Sequence, residues 1–254
     1  MRLASFNVNS IRRRTPHLAR FLARHTPELV FLQETKCKAD EFPHAELAAC
    51  GYQIHALGQH GGRNGVAVLA RIPFTTVLEA LPGEDDDAQA RYIEIQAEGA
   101  HFAGIYLPNG NSGGDEGMAY KWRWQQRLNA RAAHHLDTFT PFAILGDFNV
   151  VPTSRDMALG ALPATDALVH PNSRAHFRAL EHLGMTEASA ALGQHGFTYW
   201  DYGAAFETNR GLRIDHAMLS AELAERLIGF HIDTEARAEE QPSDHAPVWV
   251  ELKR

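Results

Sequence analysis

Short runs of large apolar residues, each breaking off into Asn, Glu or Asp, recur along this chain. Phe142-Ala143-Ile144-Leu145 followed by Gly146-Asp147-Phe148-Asn149 is the clearest case. A short apolar run that stops at a polar turn reads as a buried strand delivering polar side chains at its end. Leu29-Val30-Phe31-Leu32 runs into Gln33-Glu34-Thr35-Lys36, and the strand expected over residues 3–8 runs into Asn7-Val8-Asn9-Ser10. A carboxylate carried on such a rigid end can be held in place to a fraction of an ångström, as metal-assisted chemistry requires.

Thr15-Pro16 reads as an N-cap with proline at the first helical position, and Leu18, Phe21, Leu22 and His25 give that helix one inward face. A helix is expected over residues 42–49, then strands over 52–57, 65–70 and 74–79. Glu84-Asp85-Asp86-Asp87, in the polar loop 81–89, reads as a solvated turn. Residues 92–97 alternate as a half-buried strand, and its partner 101–107 ends in Tyr106-Leu107-Pro108-Asn109. The glycine-rich 110–117 argues against regular structure. Tyr120, Trp124, Leu128, Ala132 and Leu136 then mark a long helix over 118–136, with Lys121 on its solvated face.

Residues 151–172 form a long irregular stretch, and the helix expected over 173–183 ends at a Gly184 cap. Strands are expected at 197–202, 212–219, 227–233 and 247–252. About ten strands and four helices, with neighbours pairing as hairpins and no linker, give an α+β chain forming one domain over residues 1–254. Two stacked sheets flanked by helices would place the active residues on loops along one rim.

Composition narrows the setting. No window approaches the length of an apolar membrane span, and no signal segment opens the chain. Cys37 and Cys50 form no metal-type pair and read as free thiols, so a reducing, cytoplasmic location is expected. The net charge of −7 argues mildly against a nucleic-acid partner. A pocket of carboxylates is acidic by necessity, however, and 24 Lys and Arg suffice for one basic face.

Six strand ends carry unusual polar residues: Asn7, Glu34, Tyr106 with Asn109, Asp147 with Asn149, Asp215, and Asp244-His245. Singly, each has an ordinary reading as a turn residue, a salt-bridge partner (Asp215 for Arg213) or a surface histidine. Together they are chemically coherent. Asp, Glu and Asn oxygens are hard ligands suited to Mg²⁺. A histidine oriented by an Asp can serve as general base, and Asn and Tyr can donate to a phosphoryl oxygen as charge builds up. These are the needs of metal-assisted attack by water on a phosphodiester. There is no Cys/His zinc pattern, Walker-type glycine loop or Gly-x-Ser-x-Gly elbow to support a competing chemistry.

Ser5-Phe6-Asn7-Val8-Asn9, Phe31-Leu32-Gln33-Glu34-Thr35-Lys36 and Asn64-Gly65-Val66-Ala67 resemble successive motifs of the exonuclease III family. So do Tyr106-Leu107-Pro108-Asn109-Gly110, Gly146-Asp147-Phe148-Asn149, Gly211-Leu212-Arg213-Ile214-Asp215 and Ser243-Asp244-His245-Ala246-Pro247. This is the class II apurinic/apyrimidinic endonuclease family of base-excision repair.

The resemblance implies a four-layered α/β sandwich of two mainly antiparallel sheets and divalent-metal-dependent hydrolysis of DNA phosphodiesters. It implies Mg²⁺, with Mn²⁺ able to substitute, and duplex DNA as partner, reached by a cytoplasmic protein associated with the nucleoid; with no oligomer interface visible in the sequence, a monomer is the default expectation. The expected reactions are incision 5′ to abasic sites, 3′→5′ removal of nucleotides, or both. A related phosphodiesterase acting on RNA or a small phosphoester is the alternative.

By the same resemblance Glu34 is the principal metal ligand, with Asn7 and Asp244 near the ion. His245 matches the catalytic histidine and Asp215 its paired carboxylate. Asp147 matches the acid that positions or deprotonates water, beside Asn149, and either Asp147 or His245 is the base. Tyr106 and Asn109 match contacts to the scissile phosphate, and Arg91 falls in a phosphate-contact setting. Phe197, Tyr199 and Trp200 fit the aromatic substrate pocket, with core packing as the rival reading for at least one of them. Leu212 stands where many members carry tryptophan, Gly203 where arginine is common, and Glu187-Ala188-Ser189-Ala190 and the loop 151–172 also depart from the pattern.

Overall fold

In the computed structural model, which describes residues 1–59 and 61–254, twelve strands are formed among the described residues. They are β1 (Arg2–Asn7), β2 (Leu29–Gln33), β3 (Gln53–Leu57), β4 (Val66–Ala70), β5 (Thr75–Leu78) and β6 (Tyr92–Ala97). β7 (Ala100–Tyr106), β8 (Phe142–Asp147), β9 (Thr186–Glu187), β10 (Asp215–Leu219), β11 (Leu227–Ile232) and β12 (Val248–Leu252) follow. One six-stranded sheet has the order β11-β12-β1-β2-β4-β3 and the other β5-β6-β7-β8-β10-β9. Both are mainly antiparallel, and each has one parallel pair at its centre, β1 with β2 and β7 with β8.

Each parallel pair needs a crossover, and each has a helix: Ile11–His25 between β1 and β2, Gly114–Asp137 between β7 and β8. A strand covered on both faces reads as a continuous apolar run. In β2, Leu29 and Phe31 face the other sheet, packing with Ile93, Phe102 and Leu145. Val30 and Leu32 point the other way, onto Leu18, Phe21 and Leu22 of the first helix. On the far side Tyr92, Ile144 and Met218 carry Trp124, Leu128 and Ala132 of the second helix. The result is four layers, helix–sheet–sheet–helix, as expected. No helix among the described residues is long and apolar enough to cross a membrane. Cys37 and Cys50 are free thiols.

Several local expectations are corrected. The first helix begins at Ile11, with Pro16 inside it. The loop after β2 captures the helix start, Glu34 and Thr35 carbonyls accepting from the Ser10 and Ile11 amides at 2.7 and 3.0 Å. Burial of Ile11, Leu18 and Phe21 offsets the backbone bond that Pro16 cannot make. The second helix begins within the glycine-rich stretch, at Gly114, behind Gly113 at φ 88°. A Cβ on Gly117 would stand 1.8 Å from the Ser112 carbonyl oxygen, so glycine is what lets this helix start. Glu84 and Asp87 are held by Arg127 at 3.1 and 2.8 Å rather than left solvated. Residues 197–202 form no ladder, only isolated bridges from Tyr199 to Leu212 and to His245. β9 and the four-residue helices Ala188–Ala191, Ala221–Ala224 and Thr234–Arg237 are too short to show a period and were not expected.

Candidate active site

The carboxyl ends of β1, β2, β7 and β8 emerge at one rim. Asp147 pairs with Tyr106 of β7 on one side and with Asp215, the first residue of antiparallel β10, on the other. Gly146 precedes it because a Cβ there would lie 2.1 Å from the Ile105 carbonyl oxygen of the neighbouring strand. The loop before β12 adds Ser243 to His245, fastened by the Ser243 hydroxyl donating to the Asn7 carbonyl at 2.7 Å. Asn9, Ser10, Glu34, Lys36 and Asn149 all carry positive φ at this rim. Such backbone costs energy for a non-glycine residue and tends to cluster at functional sites.

The side chains converge. Asn7 Nδ2 donates to Glu34 Oε1 and to Asp147 Oδ2, each at 2.9 Å. His245 Nδ1 lies 2.8 Å from Asp215 Oδ2, and its Nε2 points inward, 3.7 Å from Asp147 Oδ2. The Asn149 amide donates to Asp147 Oδ1 at 2.9 Å, and the Asn109 side chain donates to Asn149 Oδ1 at 3.0 Å. The Arg91 guanidinium lies over the Tyr106 ring, 4.5 Å from its centroid.

Burial shapes the charges. Asp147 is buried and is pushed up to about 7 by that burial, with Asp215 and Glu34 adding like-charge repulsion. Burial opposes a charge on His245, but Asp215, Asp147 and Asp244 outweigh it and hold the ring well above its ordinary value. Burial also works against ionised Glu34, yet Lys36 and Asn7 keep it below the usual carboxylate value. The Tyr106 hydroxyl is held protonated by burial and by the facing Glu34 and Asp147 carboxylates.

The donor set fits a divalent cation. Oxygens of Glu34 and Asp147 and a ring nitrogen of His245 lie within 4.8 Å of one another. The position already favours positive charge, because Lys36 Nζ sits 2.7 Å from Glu34 Oε2. With the His245 ring kept protonated by the surrounding carboxylates, its inward Nε2 offers no lone pair, and the donors left are carboxylate oxygens, the hard ligands that Mg²⁺-type ions take.

Residues 4–245 match the Endonuclease/Exonuclease/phosphatase family. The chain belongs to that family. It is 31% identical over the full length of both chains to exodeoxyribonuclease III of Haemophilus influenzae. Among solved structures it superposes on a Neisseria 3′ phosphatase, NExo, bound to product DNA hairpin, with a TM-score of 0.93, 32% identity and full coverage of both chains. An AP endonuclease from Archaeoglobus fulgidus gives 0.92 and 28%, again over both full chains. The exonuclease III resemblance is thus borne out, and the family is divalent-metal dependent.

Set against the family expectation, the structure brings Asn7, Glu34, Tyr106, Asn109, Asp147, Asn149, Asp215 and His245 together and displaces others. Asn7 presents its amide donor to the carboxylates, and its oxygen accepts from the Asn9 amide at 3.1 Å, so it spaces Glu34 from Asp147. Asp244 lies outside the three-residue group and accepts from Asn9 Nδ2 at 3.0 Å. Tyr199 and Leu212 share a cavity of about 610 Å³ with Leu162, Tyr202 and Arg210. Phe197 and Trp200 line a different one beside Phe230 and Trp249, and Trp200 is buried. The core reading therefore holds for Trp200. Asp215 does not pair with Arg213, which binds Asp156 and Glu187 instead.

Lys121 is the residue the sequence reading misplaced. It is fully buried, and Nζ donates to the carbonyls of Asn109 at 2.9 Å and Asn149 at 2.6 Å, tying two site loops together. A lysine beside an apolar helical stripe gives no sign of two carbonyls waiting above it.

Proposed function

We propose that this chain is a DNA repair nuclease that hydrolyses phosphodiesters of duplex DNA 5′ to abasic sites and at 3′ ends, using Mg²⁺ and acting as a monomer through one catalytic domain. The observation that carries the reading is Asp147, buried between Asn7 and the Asp215–His245 pair at the end of β8. A buried carboxylate poised near neutrality suits a group that takes a proton from attacking water. His245, kept protonated by Asp215, then serves as a donor through Nε2 to the phosphoryl oxygens rather than as the base. Tyr106 and Asn109 add neutral donors beside it, held by Arg91 and Asn149.

A divalent ion held at Glu34, facing Asp147, would draw negative charge off the phosphate and its leaving oxygen. The residues around it set the geometry: Asn7 fixes the spacing of the two carboxylates, and Lys121 fixes the loops that carry Asn109 and Asn149. The cavity of Tyr199 and Leu212 is joined to His245 through the Tyr199 bridge, which makes it the candidate site for the sugar next to the scissile bond.

The test is cleavage of three duplexes, with a single abasic analogue, a recessed 3′ end and a 3′-phosphate, in Mg²⁺ and in chelator. Incision and 3′ processing that stop with chelator support the reading. Hydrolysis of RNA or a small phosphoester, with all three duplexes untouched, contradicts it.

A further inference from the structure

A second group of metal-type ligands lies away from the rim. Glu94 on β6, His101 on β7 and His135 near the end of the helix Gly114–Asp137 bring a carboxylate oxygen and two ring nitrogens within 4.8 Å of one another. At about 3.3 Å per residue, the five residues from His101 to Tyr106 place this group roughly 16 Å along the strand from the rim.

Both rings face one oxygen. His101 Nδ1 is 2.8 Å and His135 Nε2 3.1 Å from Glu94 Oε1. Arg131 Nη2 donates to the same oxygen at 2.7 Å. Oε2 accepts from Arg131 Nε at 2.8 Å and from the Tyr92 hydroxyl at 2.6 Å. A carboxylate oxygen has two lone-pair directions, and here three nitrogens aim at Oε1. Arg131 keeps its protons, so a proton or a cation must lie between each imidazole and the carboxylate. An imidazole that turns a lone pair towards the carboxylate is repelled by it unless a cation lies between them.

We propose that Glu94, His101 and His135 form a second metal site, separate from the catalytic rim, which takes a late divalent transition metal such as Zn²⁺. Two imidazoles and one carboxylate are a zinc ligand set, whereas Mg²⁺ takes oxygens. Tyr92 and Arg131 on Oε2 orient the ligating carboxylate from behind, the arrangement metal-bound carboxylates commonly show. The His101 side chain retains 17% exposure and opens a path to solvent. The ligands come from two adjacent strands and the long helix, so the ion fastens that helix to its sheet.

The test is Zn²⁺ binding by the whole chain without Mg²⁺, read by competition with a chromophoric chelator, by the visible spectrum after Co²⁺ loading, and by X-ray absorption. Besides any ion at the rim, one tightly held ion with two imidazoles in its shell is expected. The double variant Glu34→Gln/Asp147→Asn keeps it. His101→Ala, which leaves Arg131 and Tyr92 on Glu94 and is checked for folding by circular dichroism, weakens binding more than ~10-fold. Weak binding of several ions, or an ion lost with the rim variant and kept by His101→Ala, overturns the proposal. X-ray absorption of the unmodified chain decides the ligands even where a variant fails to fold.

Discussion

His245 Nδ1 stands 2.8 Å from Asp215 Oδ2, and this one contact sets both the charge and the direction of the ring. The second oxygen, Asp215 Oδ1, is buried without a hydrogen-bond partner, so the carboxylate's remaining charge is spent on the imidazolium. Asp215→Asn removes that charge while keeping the shape. The expected result is a fall in the single-turnover rate of about 10²–10⁴-fold with DNA affinity little changed. A rate near that of the unmodified enzyme would mean the pair is structural.

Lys121 holds Asn109 and Asn149 through their carbonyls. Lys121→Met keeps the length and apolar stem but leaves two buried carbonyls without a donor, at about 1–3 kcal/mol each. Denaturant unfolding should show the loss, and kcat should fall more than KM rises, because the loops that carry the phosphate donors loosen. A variant equally stable and equally active would return Lys121 to a passive role.

The two cavities separate specificity from stability. Tyr199→Ala and Leu212→Ala enlarge the cavity whose Tyr199 ring packs on His245 and should change the ratio of abasic-site incision to 3′ exonuclease activity. Trp200→Ala, in the other cavity, should cost about 3–5 kcal/mol of stability and leave that ratio alone. The reverse pattern would show that the aromatic segment faces DNA through Trp200.

Acid should loosen the end of the molecule around β9. Burial opposes ionised Glu187, but His216 and Arg213 prevail and bring it down to about 2. A folded pKa below the unfolded value means stability is present above the unfolded value and lost as pH falls through the folded one. Unfolding free energy should therefore decline as pH drops from about 4.5 towards 2, and Glu187→Gln should flatten that decline. An unchanged slope in the variant would place the acid sensitivity elsewhere.

Much of this was legible in the sequence for a physical reason. A strand buried on both faces, such as β2 or β8, must be a continuous apolar run, and the polar residue that ends it marks the rim. Asn7, Glu34, Asp147 and Asp215 could therefore be found from pattern, and the family motifs joined them. What escaped notice depends on contacts distant in sequence. Pro16 misled because the cap of its helix is made by the Glu34 and Thr35 carbonyls, 24 positions away in each case. Lys121 misled because its partners belong to other loops, and Trp200 because an aromatic segment does not announce which neighbour faces which cavity. The left-handed backbone at Glu34 and Asn149 has no sequence signature at all.

On the proposed mechanism Asp147 takes the proton from water beside a divalent ion. Asp147→Asn, nearly identical in shape, tests it on a duplex with a single abasic analogue in Mg²⁺. Binding close to that of the unmodified chain and a single-turnover rate lowered by at least ~100-fold are expected. A rate within a few-fold of the unmodified chain, still abolished by chelator, would contradict it and move the base to another residue.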